Sequence, residues 1–353
     1  GDFELLLCHG TVCVVGKIRD LILQLSKSSI YSTKPSCISN CMISDNNIAV
    51  LICTFNGSKF LRKQLDSIIS QTYTSWEIFA SDDGSTDDTL DILKEYQARL
   101  GKNKLHIIKG PGKGFAWNFL TLLQKCGGAY DYYAFSDQDD EWLSDKLERS
   151  LGKISSLEID NTKVPALHCG RTMLVNEKDE CIGYSPLFCK KPSFRNALIQ
   201  SIAGGNTMLF NQAARNIINL TPQDFKIVSH DWWVYILISG CNGIIVYDEV
   251  PTIKYRQHTN NIIGSNLGWR ARLRRINGLF DGHFRDWIQC NLNALNAMPL
   301  QLSKESRWVL ENFIEARSSH LITRIIKFSK IKLYRQTSFG TIAFLIAVLF
   351  KKI

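Results

Sequence analysis

The chain has 353 residues, of which 45% are hydrophobic and 21% are charged, and this composition excludes an intrinsically disordered protein. Its net charge of +9 is unevenly distributed: residues 266–353 contain 15 Lys and Arg against 5 Asp and Glu, so the basic character belongs to the tail. The eleven Cys residues include no Cys-x-x-Cys pair, which indicates reduced thiols rather than a disulfide framework.

The first part of the chain, residues 1–47, is predicted as an N-terminal extension without a well-defined pattern. The apolar stretch of residues 5–15 lacks a basic leading region, so no secretory signal is predicted. His9, Cys37 and Cys41 are spaced too loosely for a zinc site to be a good interpretation.

From Ile48 onwards, short apolar runs alternate with amphipathic segments. The runs predict strands at residues 48–53, 76–80, 105–108 and 132–136. The segments between them predict helices at residues 60–69, 85–100 and 115–123. Strands alternating with helices at these lengths predict an α/β fold with a mostly parallel central sheet and right-handed crossovers.

The second half of the same region contains a mixture of predicted elements. Strands are predicted at residues 164–175, 203–210, 243–247 and 252–257, and helices at 143–157, 211–219 and 230–238. Beyond residue 266 the pattern is helical and basic. We therefore predict three parts: the extension 1–47, an α/β domain 48–265, and a helical basic region 266–353.

Polar side chains follow three of the predicted parallel strands, at the point where each strand ends. Thr54 and Asn56 follow the first, Asp83 follows the second, and Asp137 and Asp139 follow the fourth. Because the carboxyl ends of parallel strands lie at one edge, these groups can converge on one ligand. The alternative is a set of acidic turns and helix caps, in which Asp is common.

The first strand is followed neither by a Gly-rich phosphate loop nor by a Gly-x-Gly-x-x-Gly motif. This argues against a P-loop NTPase and against a dinucleotide-binding protein. A diphosphate bound here needs another source of positive charge, and a divalent cation held by Asp137 and Asp139 would supply it.

Four ordered motifs resemble glycosyltransferase family 2, with its GT-A fold, and in particular its rhamnosyltransferase-like members. The motifs are Ile48-Ala-Val-Leu-Ile-Cys-Thr-Phe-Asn-Gly57, Gln71-Thr-Tyr73, Ser81-Asp-Asp-Gly-Ser-Thr-Asp-Asp-Thr89 and Ser136-Asp-Gln-Asp-Asp-Glu-Trp142. The resemblance covers about residues 48–265. It implies a metal-dependent inverting enzyme that transfers a sugar, with dTDP-rhamnose or another UDP- or dTDP-sugar as donor, in the synthesis of O-antigen or capsule polysaccharide.

The resemblance also implies roles for residues on the donor side. Asp83 matches the acid that reads the pyrimidine base, since a carboxylate can accept the imide N–H of uracil or thymine. Cys53, Thr54 and Asn56 match the loop beside the base and ribose. Asp137 contributes to the nucleotide-sugar site as well as to the metal.

The implied metal ligands of Mg²⁺ or Mn²⁺ are Asp137, Asp139 and His258. The sequence leaves open whether Asp139 or Asp140 faces the metal. The implied catalytic base is Asp231, which would remove the proton of the acceptor hydroxyl. A helix N-cap is the structural alternative for this aspartate.

The residues that match the acceptor side are Gly204, Gly205 and Trp232. Missing side chains at the two glycines would let a sugar approach the backbone, and an indole ring could stack on a sugar face. His230 stands where most relatives have Glu, which leaves open whether it shares the work of Asp231.

The basic tail predicts a peripheral position at the cytoplasmic face of the inner membrane, where the acceptor would be a saccharide or a lipid-linked saccharide. Residues 342–350 are wholly apolar but too few to span a bilayer, which needs roughly 17 to 25 residues. An ordinary packed C-terminal helix is the alternative. We expect no nucleic-acid partner. Two other functions stay open at this point, a sugar-phosphate nucleotidylyltransferase and a non-catalytic scaffold with a degenerate site.

Overall fold

The computed structural model of the protein describes residues 46–128, 130–157, 159–257 and 282–353. Nearly all of the predicted extension 1–47 and the first part of the basic region therefore lie outside the described residues, as does His258. The described strands, in chain order, are β1 (Ile48–Thr54), β2 (Trp76–Asp82), β3 (Leu105–Lys109), β4 (Tyr132–Ser136), β5 (Glu141–Trp142), β6 (Ala166–Gly170), β7 (Met173–Val175), β8 (Cys181–Tyr184), β9 (Leu209–Asn211), β10 (Ile244–Asp248) and β11 (Ile253–Arg256).

The helices of the same residues lie mostly between these strands and after the last of them. In chain order they are α1 (Ser58–Ile69), α2 (Thr89–Leu100), α3 (Phe115–Lys125), α4 (Lys146–Ser155), α5 (Phe194–Ala197), α6 (Gln212–Ile218), α7 (His230–Gly240), α8 (His283–Ala297), α9 (Lys304–Ser318), α10 (Leu321–Ile331) and α11 (Ser338–Leu349).

A seven-stranded sheet in the order β10, β6, β9, β4, β1, β2, β3 forms the centre of the fold. Its neighbours pair in parallel except at β9, which runs antiparallel to both β4 and β6. The predicted α/β fold with a mostly parallel sheet is confirmed. Thr54 pairs with Asp82 and Ile52 with Ser136, so β1, β2 and β4 end side by side at one edge.

Both faces of the sheet are covered, because alternate residues of β1 enter two separate hydrophobic clusters. Leu51 and Cys53 join the cluster that contains residues of α3 and α7, whereas Val50 and Ile52 join the one that contains residues of α1 and α2. Successive side chains of a strand point to opposite faces. A strand buried on both faces therefore reads as a continuous apolar run, as β1 does.

The strand predicted over residues 164–175 is in fact two strands in different sheets. β6 belongs to the central sheet, while β7 joins a second sheet with the order β5, β11, β7, β8. The chain leaves the central sheet after Gly170, where a Cβ would lie only 3.1 Å from the backbone oxygen of Asp248. Close backbone approach at a glycine is the reason for the break.

The segment predicted as a strand at residues 203–210 also differs from the prediction. Residues Gly205–Thr207 form a 3₁₀ turn, and only Leu209–Asn211 form a strand. The Thr207 hydroxyl donates to the Gly204 carbonyl oxygen at 2.7 Å, a local hydrogen bond that competes with a sheet ladder. This turn places Gly204 and Gly205 outside any strand.

The Lys146 side chain at the start of α4 is completely buried. Its Nζ lies 3.8 Å from the centroid of the Trp142 ring and has no hydrogen-bond partner among the described residues. Burial lowers the pKa of this amine to about 7. Protonation of this amine in the folded protein therefore costs more free energy than protonation in water.

Replacing Lys146 with Met should stabilise the protein at pH 7 by about 2–4 kcal/mol, because the buried amine no longer has to give up its charge. The folded pKa lies below the unfolded value of about 10.4, so the wild type gains stability as pH rises between about 7 and 10. Denaturant unfolding of both proteins across this pH range measures the effect. Lys153→Met, at an exposed position of α4, is the matched control. A Lys146→Met variant that is less stable than the wild type at pH 7 would contradict the assignment.

A row of aromatic rings joins three of the C-terminal helices to one another. Phe313, Phe328 and Phe344 come from α9, α10 and α11, with successive ring centroids 5.8 and 5.9 Å apart. The buried Arg324 guanidinium joins α10 to α11, because it donates to the carbonyl oxygen of Val348 at 3.2 Å. In the part of the chain that the structure describes, no helix is both long and apolar enough to cross a membrane.

Candidate active site

The ends of β1, β2 and β4 bring the predicted donor-side residues together. Cys53, near the end of β1, is buried, and burial together with the nearby carboxylates of Asp137 and Asp83 raises the pKa of its thiol. The Cys53 thiol is therefore affected by the charges of acids that follow two different strands. The structure gathers these groups at the common sheet edge.

Asp82 and Asp83 are neighbours in the sequence but have different surroundings. Asp82 is buried, and its carboxylate accepts from the hydroxyls of Thr54 at 2.9 Å and Ser85 at 2.5 Å. It also accepts from the Ser85 amide at 2.9 Å. Asp82 therefore holds the turn after β2, which is the structural role expected for one of the pair.

The Asp83 carboxylate, directly after β2, is less buried and lies against the loop that follows β3. Its oxygens accept from the amides of Gly112 at 2.6 Å and Gly114 at 2.9 Å. A Cβ at Gly110 would lie 2.7 Å from Asp83 Oδ1, so the loop can approach only through glycine. Each carboxylate oxygen has a second lone pair, so Asp83 can also accept an imide N–H.

The side chains of Thr54 and Asn56 do not face the open edge as predicted. The Thr54 side chain is buried on Asp82, and Asn56 Oδ1 accepts from the Thr86 amide at 2.8 Å. Asn56 has a φ of 48°, in the left-handed region that Asn tolerates better than most residues. Both side chains are used to shape the loop after β1, and that loop would contact a donor through its backbone and the exposed ring of Phe55.

Gln138 is a site residue that sequence reasoning missed. Its side chain accepts from the Phe55 amide at 2.9 Å and donates to the Phe55 carbonyl oxygen at 3.0 Å. At Gly57 a Cβ would lie 2.2 Å from Gln138 Oε1, so a larger residue there would displace the Gln138 amide from these hydrogen bonds. No signal in the sequence indicated this role, because both hydrogen bonds join Gln138 to backbone groups 83 residues away.

Three carboxylates surround the open end of β4. Burial, together with the charges of Asp139 and Asp231, holds the pKa of Asp137 well above its usual range. Acids that are distant in sequence, at 137 and 231, are therefore close enough in space to repel each other. Asp137 therefore lies near both Asp139 and Asp231.

The choice between Asp139 and Asp140 follows from their burial. Asp140 is completely buried and accepts hydrogen bonds from the Asn206 side-chain amide and, at 3.1 Å, from the Arg256 backbone amide. Burial and the neighbouring acids Asp139 and Asp137 raise its pKa. Asp139, by contrast, is only half-buried. Asp140 is therefore a support for the loop, and Asp139 is the candidate ligand.

The acid cluster fits a hard divalent cation. Mutual repulsion of Asp137, Asp139 and Asp231 would be relieved by positive charge, and carboxylate oxygens are the ligands that Mg²⁺ and Mn²⁺ prefer. No group of three or more His, Cys, Asp or Glu in the described ranges is arranged to enclose a metal. An open site with one or two carboxylates suits an ion that also binds substrate phosphates. His258, the third predicted ligand, lies outside the described residues.

Asp231 lies in the first turn of α7, where its Oδ1 accepts from the Trp232 amide at 2.7 Å. The helix N-cap is Ser229, so the capping alternative for Asp231 is not what the structure shows. One carboxylate oxygen is oriented by the helix, and the carboxylate is half-buried beside Asp137. This geometry is suitable for a base that receives a proton from a bound hydroxyl.

His230 is buried in an aromatic cluster. Its ring stacks on Phe119 with centroids 4.0 Å apart and meets the Phe135 ring edge-on at 5.1 Å. Burial lowers its pKa to about 4, so the imidazole is neutral at pH 7. A Cβ at Gly205 would lie 2.4 Å from His230 Nε2, so the ring packs directly on the acceptor-side turn. This placement gives His230 a positioning role and not that of a second base.

On the acceptor side, Gly204 is exposed, as predicted, whereas Gly205 is buried against His230. The prediction that Trp232 stacks on a sugar is wrong for this structure. Its ring is buried and its indole N–H donates to the Ala197 carbonyl oxygen at 2.7 Å. The helix that carries it is buried on nearly all sides, so the ring offers no free face.

Comparison with known proteins finds a family model that matches the first part of the α/β domain. Residues 49–217 match the family model described as Glycosyl transferase family 2. The dTDP-rhamnosyl transferase RfbG of Shigella flexneri is 29% identical over 255 residues, which cover 69% of this chain and 84% of that protein. Chondroitin synthase of Escherichia coli is 36% identical over 104 residues, which cover 30% of this chain and 15% of that protein.

A solved structure resembles the fold as a whole. S. aureus TarS in complex with UDP-GlcNAc superposes with a TM-score of 0.52 at 17% sequence identity, covering 85% of this chain and 79% of that one. The superposition supports the predicted GT-A fold. The family-matched segment ends at residue 217, so the first turn of α7 lies beyond it.

Proposed function

We propose a specific reaction for this protein. The premise is that residues 49–217 form a glycosyltransferase family 2 domain and that the protein is a glycosyltransferase of polysaccharide biosynthesis. The enzyme moves a sugar from a nucleoside-diphosphate donor to a saccharide hydroxyl, with inversion at the anomeric carbon. The observation that carries the proposal is the meeting of Asp83, Asp137, Asp139 and Asp231 around the ends of β1, β2 and β4.

The proposed donor is dTDP-rhamnose, with other UDP- and dTDP-sugars as the next candidates. Its support is the similarity to RfbG over most of that protein's length. A thymine or uracil base offers an imide N–H to Asp83, which adenine lacks. The loop that includes Gly112 and Gly114 already lies against the same carboxylate and would form one wall of the base site.

Asp137 and Asp139 would hold Mg²⁺ or Mn²⁺, as the charge and the donor set of this cluster favour. When bound, the cation supplies positive charge that stabilises the departing nucleoside diphosphate. Asp140 and Gln138 accept hydrogen bonds from the backbone amides of Arg256 and Phe55. These bonds would hold the loop, so that the two ligating carboxylates keep their positions. Preorganised ligands of this kind need little rearrangement during the reaction.

Asp231 would take the proton of the acceptor hydroxyl as that oxygen attacks the anomeric carbon. A hydroxyl is a poor nucleophile until its proton is removed. A single attack from the side opposite the leaving diphosphate inverts the configuration. His230 contributes by holding Gly205 in place, which leaves exposed Gly204 as a surface that a sugar can approach.

The proposed location is peripheral, at the cytoplasmic face of the inner membrane, with a saccharide or lipid-linked saccharide as acceptor. The support is the excess of cationic residues beyond position 266 and the exposed apolar side chains of α10 and α11. Cationic and apolar groups together favour binding at an anionic lipid surface.

The proposal is tested by thermal unfolding of the purified protein with a panel of nucleotide sugars, each with Mn²⁺ or with EDTA. A ligand at about 100 times its Kd stabilises the folded state by about 2.7 kcal/mol, so the cognate donor should raise the Tm by about 5 °C. We expect this rise with a dTDP- or UDP-sugar and Mn²⁺ only.

ADP-glucose is the control ligand, because its base has no imide N–H. Product analysis then distinguishes the reactions, since transfer releases a nucleoside diphosphate and a nucleotidylyltransferase releases pyrophosphate. Equal stabilisation by ADP-glucose, or an unchanged shift in EDTA, would refute the proposed donor site.

A further inference from the structure

A pocket of about 310 Å³ lies between α8, α9 and the end of the chain, away from the acid cluster. Three of its lining residues are cationic, Arg285, Arg317 and Lys351, and none is acidic. Gln289 and Ser318 add polar groups to the wall. A concave wall with three cations and neutral hydrogen-bonding groups is suited to an oxyanion.

Among the described residues, no carboxylate forms an ion pair with the cations of this pocket. No carboxylate oxygen of the described residues lies within 4.0 Å of a side-chain nitrogen of Arg285, Arg317 or Lys351. This holds for the terminal carboxylate of Ile353 as well. Burial and the charge of Arg285 lower the pKa of Arg317. An anion between these groups would relieve their mutual repulsion.

Arg317 keeps donor capacity for such an anion. Its Nη1 donates to Gln289 Oε1 at 2.8 Å, which fixes the guanidinium in the wall. Its Nε is buried and has no hydrogen-bond partner among the described residues. Arg317 lines the pocket, and a planar guanidinium is well matched to a phosphate.

An exposed apolar surface begins immediately beside this pocket. We define the α10–α11 apolar face by its large exposed side chains, which are Leu321, Ile322, Ile325, Ile326, Phe339, Ile342, Leu345, Ile346, Leu349 and Phe350. Lys351 directly follows this face, and Ser318 precedes it by three residues, a chain span of at most about 10 Å. Contiguous exposed apolar groups on this scale mark an interaction surface.

The charge of the same segment identifies the partner. Residues 321–353 contain seven Lys and Arg and no Asp or Glu. A second copy of the chain would bring the same positive charge and be repelled, whereas an anionic bilayer offers both an apolar interior and negative headgroups.

We propose that the pocket binds the phosphate of an anionic lipid headgroup while the α10–α11 apolar face enters the outer part of the bilayer. This inference deepens, and rests on, the membrane position given under the proposed function. It adds a specific headgroup site to a general electrostatic attraction.

The test is co-sedimentation of the full chain with phosphatidylcholine vesicles that contain or lack phosphatidylglycerol. Loss of one cation from a diffuse charged surface weakens binding about fivefold. Lys352→Gln and Arg307→Gln, which alter exposed cations outside the pocket, should lose no more than that. Lys351→Gln and Arg285→Gln should each lose at least about tenfold, because a headgroup contact is lost as well.

Equal losses of vesicle binding for Lys351→Gln and Lys352→Gln would overturn the headgroup site. Wild-type binding that does not depend on phosphatidylglycerol would overturn it as well. Inorganic phosphate, compared with chloride at equal ionic strength, provides the second arm. If phosphate raises the Tm while the vesicles do not bind, the site serves a soluble anion and the lipid proposal is wrong.

Donor binding measured without vesicles separates this site from the catalytic one. Lys351→Gln and Arg285→Gln should bind the sugar donor as the wild type does. If the wild type binds no donor but keeps its preference for anionic vesicles, the proposed reaction fails and the headgroup site stands. Circular dichroism of each variant confirms that it is folded.

Discussion

Replacement of Asp139 by Asn is expected to lower sugar transfer at least about 10³-fold and to abolish the Mn²⁺ dependence of donor binding. Asp139 is the half-buried acid of the pair 139 and 140, and its charge acts on Asp137. Loss of one of two carboxylate ligands removes several kcal/mol of charge stabilisation from the leaving diphosphate. The change should be seen in kcat and in the Mn²⁺ concentration needed for half-maximal activity.

The adjacent Asp140 provides a sharp contrast. Asp140→Asn alters a completely buried acid that accepts from Asn206 and Arg256, so we expect its main effect on the free energy of unfolding. Asp131→Asn, at the other end of β4, is the matched control and should keep wild-type activity. An Asp139→Asn enzyme with normal activity in Mn²⁺, or a wild type fully active in EDTA, would contradict the metal site.

Replacement of Asp231 by Asn is expected to lower kcat about 10³-fold and to leave donor binding unchanged. The amide keeps the size of the side chain and one acceptor for the Trp232 amide, but it cannot take a proton. The loss should therefore fall on kcat, with the thermal shift caused by the donor and Mn²⁺ preserved. Rapid mixing and product analysis measure the first quantity, and thermal unfolding measures the second.

Asp91→Asn is the control, because it also removes an acid from the first turn of a helix. Asp91 lies in the first turn of α2 and is exposed, and its carboxylate forms an ion pair with Lys94 Nζ at 2.9 Å. It should retain wild-type kcat. If Asp231→Asn loses donor affinity and turnover in parallel, Asp231 belongs to the donor site and a different residue is the base.

The sequence was sufficient for the main strands because each is buried on both faces. The prediction of β4 at residues 132–136 agrees with the structure at both ends, and β1 differs by one residue. A continuous apolar run bounded by polar residues is a strong signal. The strand at 164–175 was mispredicted because apolar residues alone do not reveal that a chain passes from one sheet to another.

Within the site, residue type was predictable but orientation was not. Paired acids such as 82 and 83, or 139 and 140, have the same chemistry, and only the turn of the backbone decides which one is buried. Trp232 looked like a sugar-stacking residue because tryptophan is suited to that role, yet the burial of α7 fixes its ring inside. Gln138 carried no signal, since its hydrogen bonds are to backbone groups 83 residues away.

The hydrogen bond between Asp140 and Asn206 has a consequence for the kinetics of a two-substrate enzyme. It joins the loop that would hold the donor to the turn beside the exposed Gly204, which the other substrate would approach. A donor that shifts this loop would thereby also move the second binding surface. By thermodynamic reciprocity, we then expect each substrate to alter the affinity of the other by the same factor.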